Sequence, residues 1–155
     1  MSQSLSLANW MVGLHCHTRS SHFTETSESN DKGFQRTNLG LGRNEFVQIL
    51  HTANHHWVCT SSVSCLPGTV NLYDSLFHDI IVNEVEEQLK DVMASKLTGI
   101  NIVPVEQQGN GSACGVFSIA FATCIVYGRD PGIVTFDVTK MRPHLSQALK
   151  LEFQV

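Results

Sequence analysis

The sequence is poor in charged residues and has no long hydrophobic run. Lys, Arg, Asp and Glu make up 15% of its 155 residues, against roughly 25% in an average soluble domain. The 10 basic and 14 acidic side chains give a net charge of -4, so the attraction that drives binding to nucleic acids and anionic membranes is missing. The longest apolar region, residues 114–127, is shorter than the roughly 20 residues of a membrane span. We therefore expect neither nucleic acid nor membrane as a partner.

The sequence also lacks a disulfide framework and a secretory signal. Its 5 cysteines are odd in number and irregularly spaced, and no basic stretch followed by an apolar run opens the chain. We therefore expect an intracellular protein of the cytoplasm or nucleus. His15, Cys16, His17 and His22 lie close together, but no second Cys/His pair follows at the spacing of a zinc site. We expect no metal and no cofactor.

The length and the apolar content fit one folded domain. Hydrophobic residues make up 42% of the chain, which is enough for a core at this length. Residues 18–29 are mainly Ser, Thr and other polar types, with too few apolar groups to offset the entropy of ordering. We expect residues 1–32 to form a mobile polar segment and residues 33–155 to form the domain, as a monomer.

Hydrophobic patterning predicts four strands and two helices. The strands are expected at residues 45–51, 56–61, 69–74 and 100–105, with Pro104 placing the last at an edge or a strand end. Apolar residues at helical spacing predict an amphipathic helix over residues 84–97 that ends at Gly99. The second helix, over residues 116–127, is apolar nearly all round its circumference, so it should be buried and should end at Gly128.

The second and third strands are expected to form a hairpin around Pro67 and Gly68. If the turn is centred on Cys65, an antiparallel register places His56 opposite Asp74, on the same face of the sheet. The sequence therefore permits an imidazole and a carboxylate to meet at one end of this hairpin.

A polar, glycine-rich loop over residues 107–113 leads directly into the apolar helix. Ser112 is expected to cap the helix, which places Cys114 in its first turn, where N–H groups and the helix dipole favour the thiolate. A cysteine in an apolar helix is more often a small buried hydrophobic residue, but the loop favours a nucleophile activated by an imidazole. Gln108 precedes Cys114 by six residues and could donate, with the Cys114 N–H, to an oxyanion.

These residues, in this order, resemble a known family. His56-Trp57, then Tyr73-Asp74-Ser75, then the run from Gln108 to Gly115 are similar to the ubiquitin-like-protein-specific cysteine proteases, which include SUMO proteases and the adenovirus protease. The resemblance extends over residues 33–151, and residues 136–137 and 141–142 are similar to a C-terminal helix of the family. It implies a papain-like α+β fold in which the helix bearing the cysteine packs on a mainly antiparallel sheet.

The resemblance also implies the roles of individual residues. It selects His56 over His51 and His55 as the base, and Asp74 over Asp79 as the carboxylate that orients it. It further implies cleavage after the C-terminal glycine of a ubiquitin-like modifier, which would be the partner. Substrate contacts are then expected from Trp57, which would cover the channel for the modifier's tail, and from the loop residues Gly109, Asn110 and Gly111.

Two alternatives stay open. The domain could bind a modifier or another protein without turnover, as a catalytically inactive relative of the proteases. The chain could also be a truncated, nonfunctional copy derived from a mobile element, because only 55 residues precede His56 and family members generally build part of the substrate surface from a longer segment.

Overall fold

The computed structural model describes residues 45–52, 54–77, 79–94 and 96–152, with side chains as far as residue 150. The expectations for residues 1–32, including those for His15, Cys16, His17 and His22, lie outside this part of the chain. Within it, no helix has the length and hydropathy needed to cross a membrane.

Four strands form one sheet in the order β1-β2-β3-β4. They are β1 (Val47–Thr52), β2 (His56–Ser61), β3 (Thr69–Tyr73) and β4 (Gly99–Ile102). The first three pair antiparallel, and β4 runs parallel to β3. The predicted strands are thus all present, and β4 is an edge strand that ends before Pro104, as the missing N–H of proline requires.

In the described part of the chain, three α-helices accompany the sheet. They are α1 (Asn83–Val92), α2 (Cys114–Val126) and α3 (Val138–Glu152), and a short 3-10 helix (Pro131–Ile133) precedes α3. The helix α1 buries Val85 and Leu89 in one core cluster with sheet residues, whereas α2 packs into a second cluster. The sheet therefore lies between α1 and α2, and the predicted α+β class is confirmed.

The helix α2 is the buried centre of the domain. Its Phe117 and Phe121 are fully buried, and both rings pack edge-on against Phe136. The chain leaves the helix at Gly128, which adopts a positive φ of 70° and donates its N–H to the carbonyl of Ile125. The predicted helix and its glycine exit are confirmed, and the helix begins two residues earlier than the pattern indicated.

The helix α1 is shorter than predicted. It ends at Val92, whose side chain is 42% exposed, and not at Gly99. Ala94 takes a positive φ of 47°, and the Thr98 N–H then donates to the Gly68 carbonyl at 2.7 Å. The predicted exit was wrong because this contact draws the chain back to the sheet, where Gly99 begins β4.

The register of the β2–β3 hairpin differs from the prediction by two residues. Cys59 pairs with Tyr73, so Val58 lies opposite the position of Asp74, and the turn centres on Leu66. The direct pairing of His56 with Asp74 was therefore wrong. Because the shift is an even number of residues, the two side chains still emerge on the same face of the sheet.

Candidate active site

His56 and Asp74 form a hydrogen-bonded pair at one end of the hairpin. The Nε2 atom of His56, the first residue of β2, lies 2.6 Å from Oδ1 of Asp74, just beyond β3. The two side chains are only 17% and 12% exposed. The same Oδ1 accepts the N–H of Leu76 at 2.8 Å. With Nε2 bonded to the carboxylate, Nδ1 is the ring nitrogen left for another partner.

Cys114 is the first residue of α2 and is 6% exposed. Its Sγ lies 4.0 Å from the carbonyl oxygen of His55, which belongs to the peptide unit that joins His55 to His56. Within the described ranges, the polar contact of the sulfur is with this carbonyl and not with the imidazole. The fold therefore brings the thiol at the positive end of α2 to the main chain at the start of β2.

No side chain caps the N-terminus of α2. Ala113 occupies the cap position, so the predicted cap by Ser112 was wrong. The Ser112 hydroxyl instead donates to Oδ1 of Asn110 at 3.1 Å, and the Ser112 carbonyl accepts a hydrogen bond from the guanidinium of Arg142 in α3. The loop is thus held by α3, and no serine oxygen competes for the N–H groups of the first helical turn.

Gln108 is buried, and its backbone N–H and both ends of its carboxamide are hydrogen-bonded to neighbouring residues. Its Oε1 accepts from the hydroxyl of Ser75 at 2.9 Å, and its Nε2 donates to the carbonyl of Asn110 at 2.6 Å. The Gln108 N–H donates to the carbonyl of Ser75 at 2.7 Å. These bonds join the loop before the cysteine to the residue that directly follows Asp74.

Trp57 stands beside the first turn of α2. A Cβ placed on Gly115 would lie 3.5 Å from Cδ1 of the indole, so the ring contacts the residue next to Cys114. The ring of Trp57 also lies beside the ring of His51, at a centroid distance of 4.5 Å, and Trp57 remains 41% exposed. Apart from their chain neighbours, no atom of the residues that the structure describes lies within 4 Å of the corresponding Cβ positions of Gly109 and Gly111, so this part of the loop is open.

Three residues with contacts at the site were not assigned roles from the sequence: Ser75, Gln107 and Arg142. Ser75 and Arg142 lie within the motifs that resemble the family. A motif does not indicate which groups its residues bind. Gln107 donates from Nε2 to the carbonyl of Asp74 at 2.9 Å. Such bonds between distant parts of the chain leave no periodic pattern.

Other thiols are poor candidates for a nucleophile. Burial, with a smaller contribution from neighbouring Cys124, raises the pKa of Cys59 from 9.0 to about 12. Burial also raises the pKa of Cys65. Both are therefore protonated at neutral pH.

A surface pocket of about 490 Å³ lies at the other end of α2. Its lining includes Tyr73, Ile125, Tyr127 and Arg129, and none of the residues predicted for the site. The candidate site is instead the open surface around the first turn of α2, where Trp57 and Cys114 lie near the glycine-rich loop of residues 107–113.

No curated protein matches the chain. Among solved structures, the catalytic domain of a Ulp1-like SUMO protease from Chaetomium thermophilum is similar, with 21% sequence identity and a TM-score of 0.48. The match covers 65% of this chain and 44% of that chain.

A family model supplies the assignment. The model of the Ulp1 protease family C-terminal catalytic domain matches residues 46–154, which is well over half of the chain. The match confirms the resemblance read from the sequence motifs and the α+β fold of papain-like cysteine proteases. The chain belongs to the Ulp1 protease family.

Proposed function

We propose that the protein is a cysteine peptidase that hydrolyses the peptide or isopeptide bond after the C-terminal glycine of a ubiquitin-like modifier. The observation that carries the proposal is the 2.6 Å hydrogen bond between His56 and Asp74. It is supported by the position of Cys114 at the positive end of a buried helix. Family membership supports the cysteine chemistry, and the choice of residues rests on the matched motifs together with the bond between His56 and Asp74.

The carboxylate of Asp74 accepts the Nε2 hydrogen of His56, so Nδ1 is the basic nitrogen. Nδ1 takes the proton from the thiol of Cys114, and the thiolate attacks the glycyl carbonyl carbon. When the tetrahedral intermediate collapses, the C–N bond breaks and the imidazolium returns the proton to the leaving amine. Water then hydrolyses the thioester, which releases the modifier and restores the thiol.

Negative charge on the carbonyl oxygen is stabilised by two donors in this proposal. One is the N–H of Cys114 in the uncapped first turn of α2, and the other is an Nε2 hydrogen of Gln108. Fixed donors of this kind stabilise the transition state because they need no reorganisation during the reaction. Loss of the Gln108 donor is expected to cost about 3 kcal/mol of transition-state stabilisation.

The substrate contacts follow from the open surface beside Cys114. A glycine-ended tail suits this surface because Trp57 lies over Gly115 and leaves little depth for side chains. The open loop at Gly109, Asn110 and Gly111 offers main-chain groups to an extended peptide on the opposite side. We infer that the modifier's tail lies between Trp57 and this loop.

The test is covalent labelling of the full chain by several ubiquitin-like modifiers, each carrying a C-terminal electrophile. We expect one modifier to form a stable adduct at Cys114, identified by mass spectrometry, and Cys114→Ala to form none. Cys65→Ala is the matched control, since it removes a more accessible thiol and should label normally. Failure of folded protein to react with every modifier would contradict the proposal.

A binding domain without turnover is the second candidate. It is favoured by the contact of the Cys114 sulfur with the main-chain carbonyl of His55 and not with the imidazole of His56. In that case a modifier would bind wild type and Cys114→Ala with equal affinity, as measured by calorimetry, and neither protein would cleave it. Cleavage by wild type would exclude this alternative.

A further inference from the structure

Four hydrogen bonds join the chain after β3 to the loop before α2. Two of these bonds connect Gln108 and Ser75. The Gln108 N–H donates to the Ser75 carbonyl, and the Ser75 hydroxyl donates to Oε1 of Gln108. Gln107 donates from Nε2 to the Asp74 carbonyl at 2.9 Å and accepts the Phe77 N–H on Oε1 at 3.0 Å. The position of Gln108 relative to Asp74 is therefore set by the segment after β3 and not by the loop alone.

The orientation of the Gln108 carboxamide is also determined. The carbonyl of Asn110 can only accept, so the atom 2.6 Å from it is Nε2. Oε1 then faces the hydroxyl of Ser75, which is 1% exposed and donates to it. One Nε2 hydrogen is used by Asn110, and the other is left for a further acceptor.

We propose that Ser75 is a positioning residue that holds the Gln108 carboxamide in the orientation required to stabilise an oxyanion. Its donation to Oε1 prevents the carboxamide from rotating about its last torsion and polarises the amide, which makes Nε2 a better donor. Without this donor, Oε1 would be a buried acceptor with no partner, and the carboxamide would turn toward another group. This inference rests on the proposed function for its catalytic consequence, but the orientation itself can be measured without turnover.

The kinetic test uses the full chain and a fluorogenic amide of the modifier that labels Cys114. Ser75→Ala should lower kcat about tenfold and change KM less than twofold, because the donor acts on the transition state. Gln108→Ala should lower kcat about 100-fold. The double variant should be no slower than Gln108→Ala, since Ser75 acts through that side chain.

Matched variants separate positioning from packing. Ser118→Ala removes another buried serine, which lies in the middle of α2, and should leave kcat within twofold of wild type. Ser75→Thr retains the hydroxyl donor and should restore most of the activity lost in Ser75→Ala. A double variant that is a further tenfold slower than Gln108→Ala, or a Ser75→Ala variant with unchanged kcat, would overturn the proposal.

The second measurement is independent of activity. Nuclear magnetic resonance of ¹⁵N-labelled protein resolves the Nε2 hydrogens of each glutamine, and Gln108→Ala identifies the pair that belongs to Gln108. The resonances of this pair should shift, and its hydrogens should exchange faster with solvent, in Ser75→Ala, whereas those of the Gln107 pair should not.

The two measurements fail separately. If wild type cleaves no modifier, the proposed function is contradicted but the result on the orientation of Gln108 still stands. Unchanged resonances of the Gln108 pair in Ser75→Ala would overturn the role of Ser75 alone. If Ser75→Ala does not fold, Ser75→Cys, which keeps the size and weakens the donor, takes its place in both measurements.

Discussion

His56 and Asp74 meet diagonally across the β2–β3 hairpin. The residue opposite the position of Asp74 is Val58, and His56 lies two positions further along the same face. Diagonal neighbours in a sheet are about 7–8 Å apart at the backbone, within reach of long side chains. The 2.6 Å bond between the ring and the carboxylate therefore depends on the alternation of the strands and on the full length of both side chains.

The first prediction concerns the charge on this pair. In Asp74→Asn, a neutral amide oxygen in the place of Oδ1 can still accept from Leu76 and from Nε2 of His56, but the negative charge is lost. Under the proposed function, the imidazolium that forms when Nδ1 takes the thiol proton is then no longer stabilised by a carboxylate. We expect kcat to fall by about 10²- to 10⁴-fold, with little change in the thermal unfolding midpoint.

The control for that variant is Asp79→Asn. Asp79 is a nearby exposed carboxylate, and its replacement should leave kcat within twofold of wild type. Equal effects of the two substitutions would show that the carboxylate at position 74 has no special role in turnover.

The second prediction concerns Gly68, where the chain has no room for a side chain. Its φ is +83°, and a Cβ would lie 2.7 Å from Oγ1 of Thr98 and 2.9 Å from the main-chain carbonyl of Lys96. Gly128 has a similar φ of +70° but no atom within 4 Å of that position. Gly128→Ala should lower the free energy of unfolding by about 1 kcal/mol through backbone strain alone.

Gly68→Ala should cost at least about twice as much, because the Lys96 carbonyl must also move. Urea denaturation of both variants measures the difference. Equal losses of unfolding free energy would mean that the chain between α1 and β4 moves at little cost to accommodate the added methyl group.

The third prediction concerns the pH dependence of stability. Burial, and to a smaller extent Cys124, raises the pKa of the Cys59 thiol from 9.0 to about 12. Below pH 9 the thiol is protonated in both the folded and the unfolded chain and contributes no pH dependence. As the pH rises from about 9 toward 12, the unfolded chain loses this proton and the folded chain keeps it. This thiol therefore lowers the free energy of unfolding by up to about 1.4 kcal/mol per pH unit in that window.

Cys59→Ala lacks the titrating group, so its stability should fall less steeply over the same range. Urea denaturation of the two proteins at pH 9, 10 and 11 measures the two slopes. Parallel slopes would show that the folded protein ionises Cys59 as readily as the unfolded chain does.

The fourth prediction concerns Trp57, which covers the first turn of α2. Trp57→Ala should expose Cys114, which is 6% exposed in wild type, so alkylation by iodoacetamide should become several-fold faster. Under the proposed function, the same variant should raise KM for the modifier, because the wall of the tail's channel is lost. Trp57→Phe keeps an aromatic ring against Gly115 and should lie between wild type and Trp57→Ala in both measurements. Slower alkylation in Trp57→Ala would contradict the covering role of the indole.

Much of the architecture could be predicted because the relevant signals are local. The alternating strands, the apolar helix beginning near Cys114 and its exit at Gly128 all follow from short-range patterns. The hairpin register could not be predicted, because the turn contains two residues with positive φ, Ser64 and Gly68, and only the second is a glycine. The end of α1 could not be predicted either, since it depends on contact with Gly68, which is distant in sequence.

In the candidate site, too, local features could be predicted and contacts between distant segments could not. Cys114, His56 and Asp74 were selected by residue type and order, and the structure joins the last two directly. Ser75 and Gln107 act through hydrogen bonds across 33 positions of the chain, and such contacts depend on how the two segments fold together. A polar residue next to a candidate catalytic residue is therefore recognised as a supporting group only when coordinates are known.

The turn between β2 and β3 lies at the end of the hairpin remote from His56 and Asp74, and its central residue Leu66 is 76% exposed. Because this tip is exposed and lies far from the histidine–aspartate pair, it is a suitable place to graft a foreign peptide between two unchanged strand ends. A lanthanide-binding sequence inserted there would give a luminescent label on the protein, at a distance from the candidate site, for measuring the modifier binding that the proposed function requires.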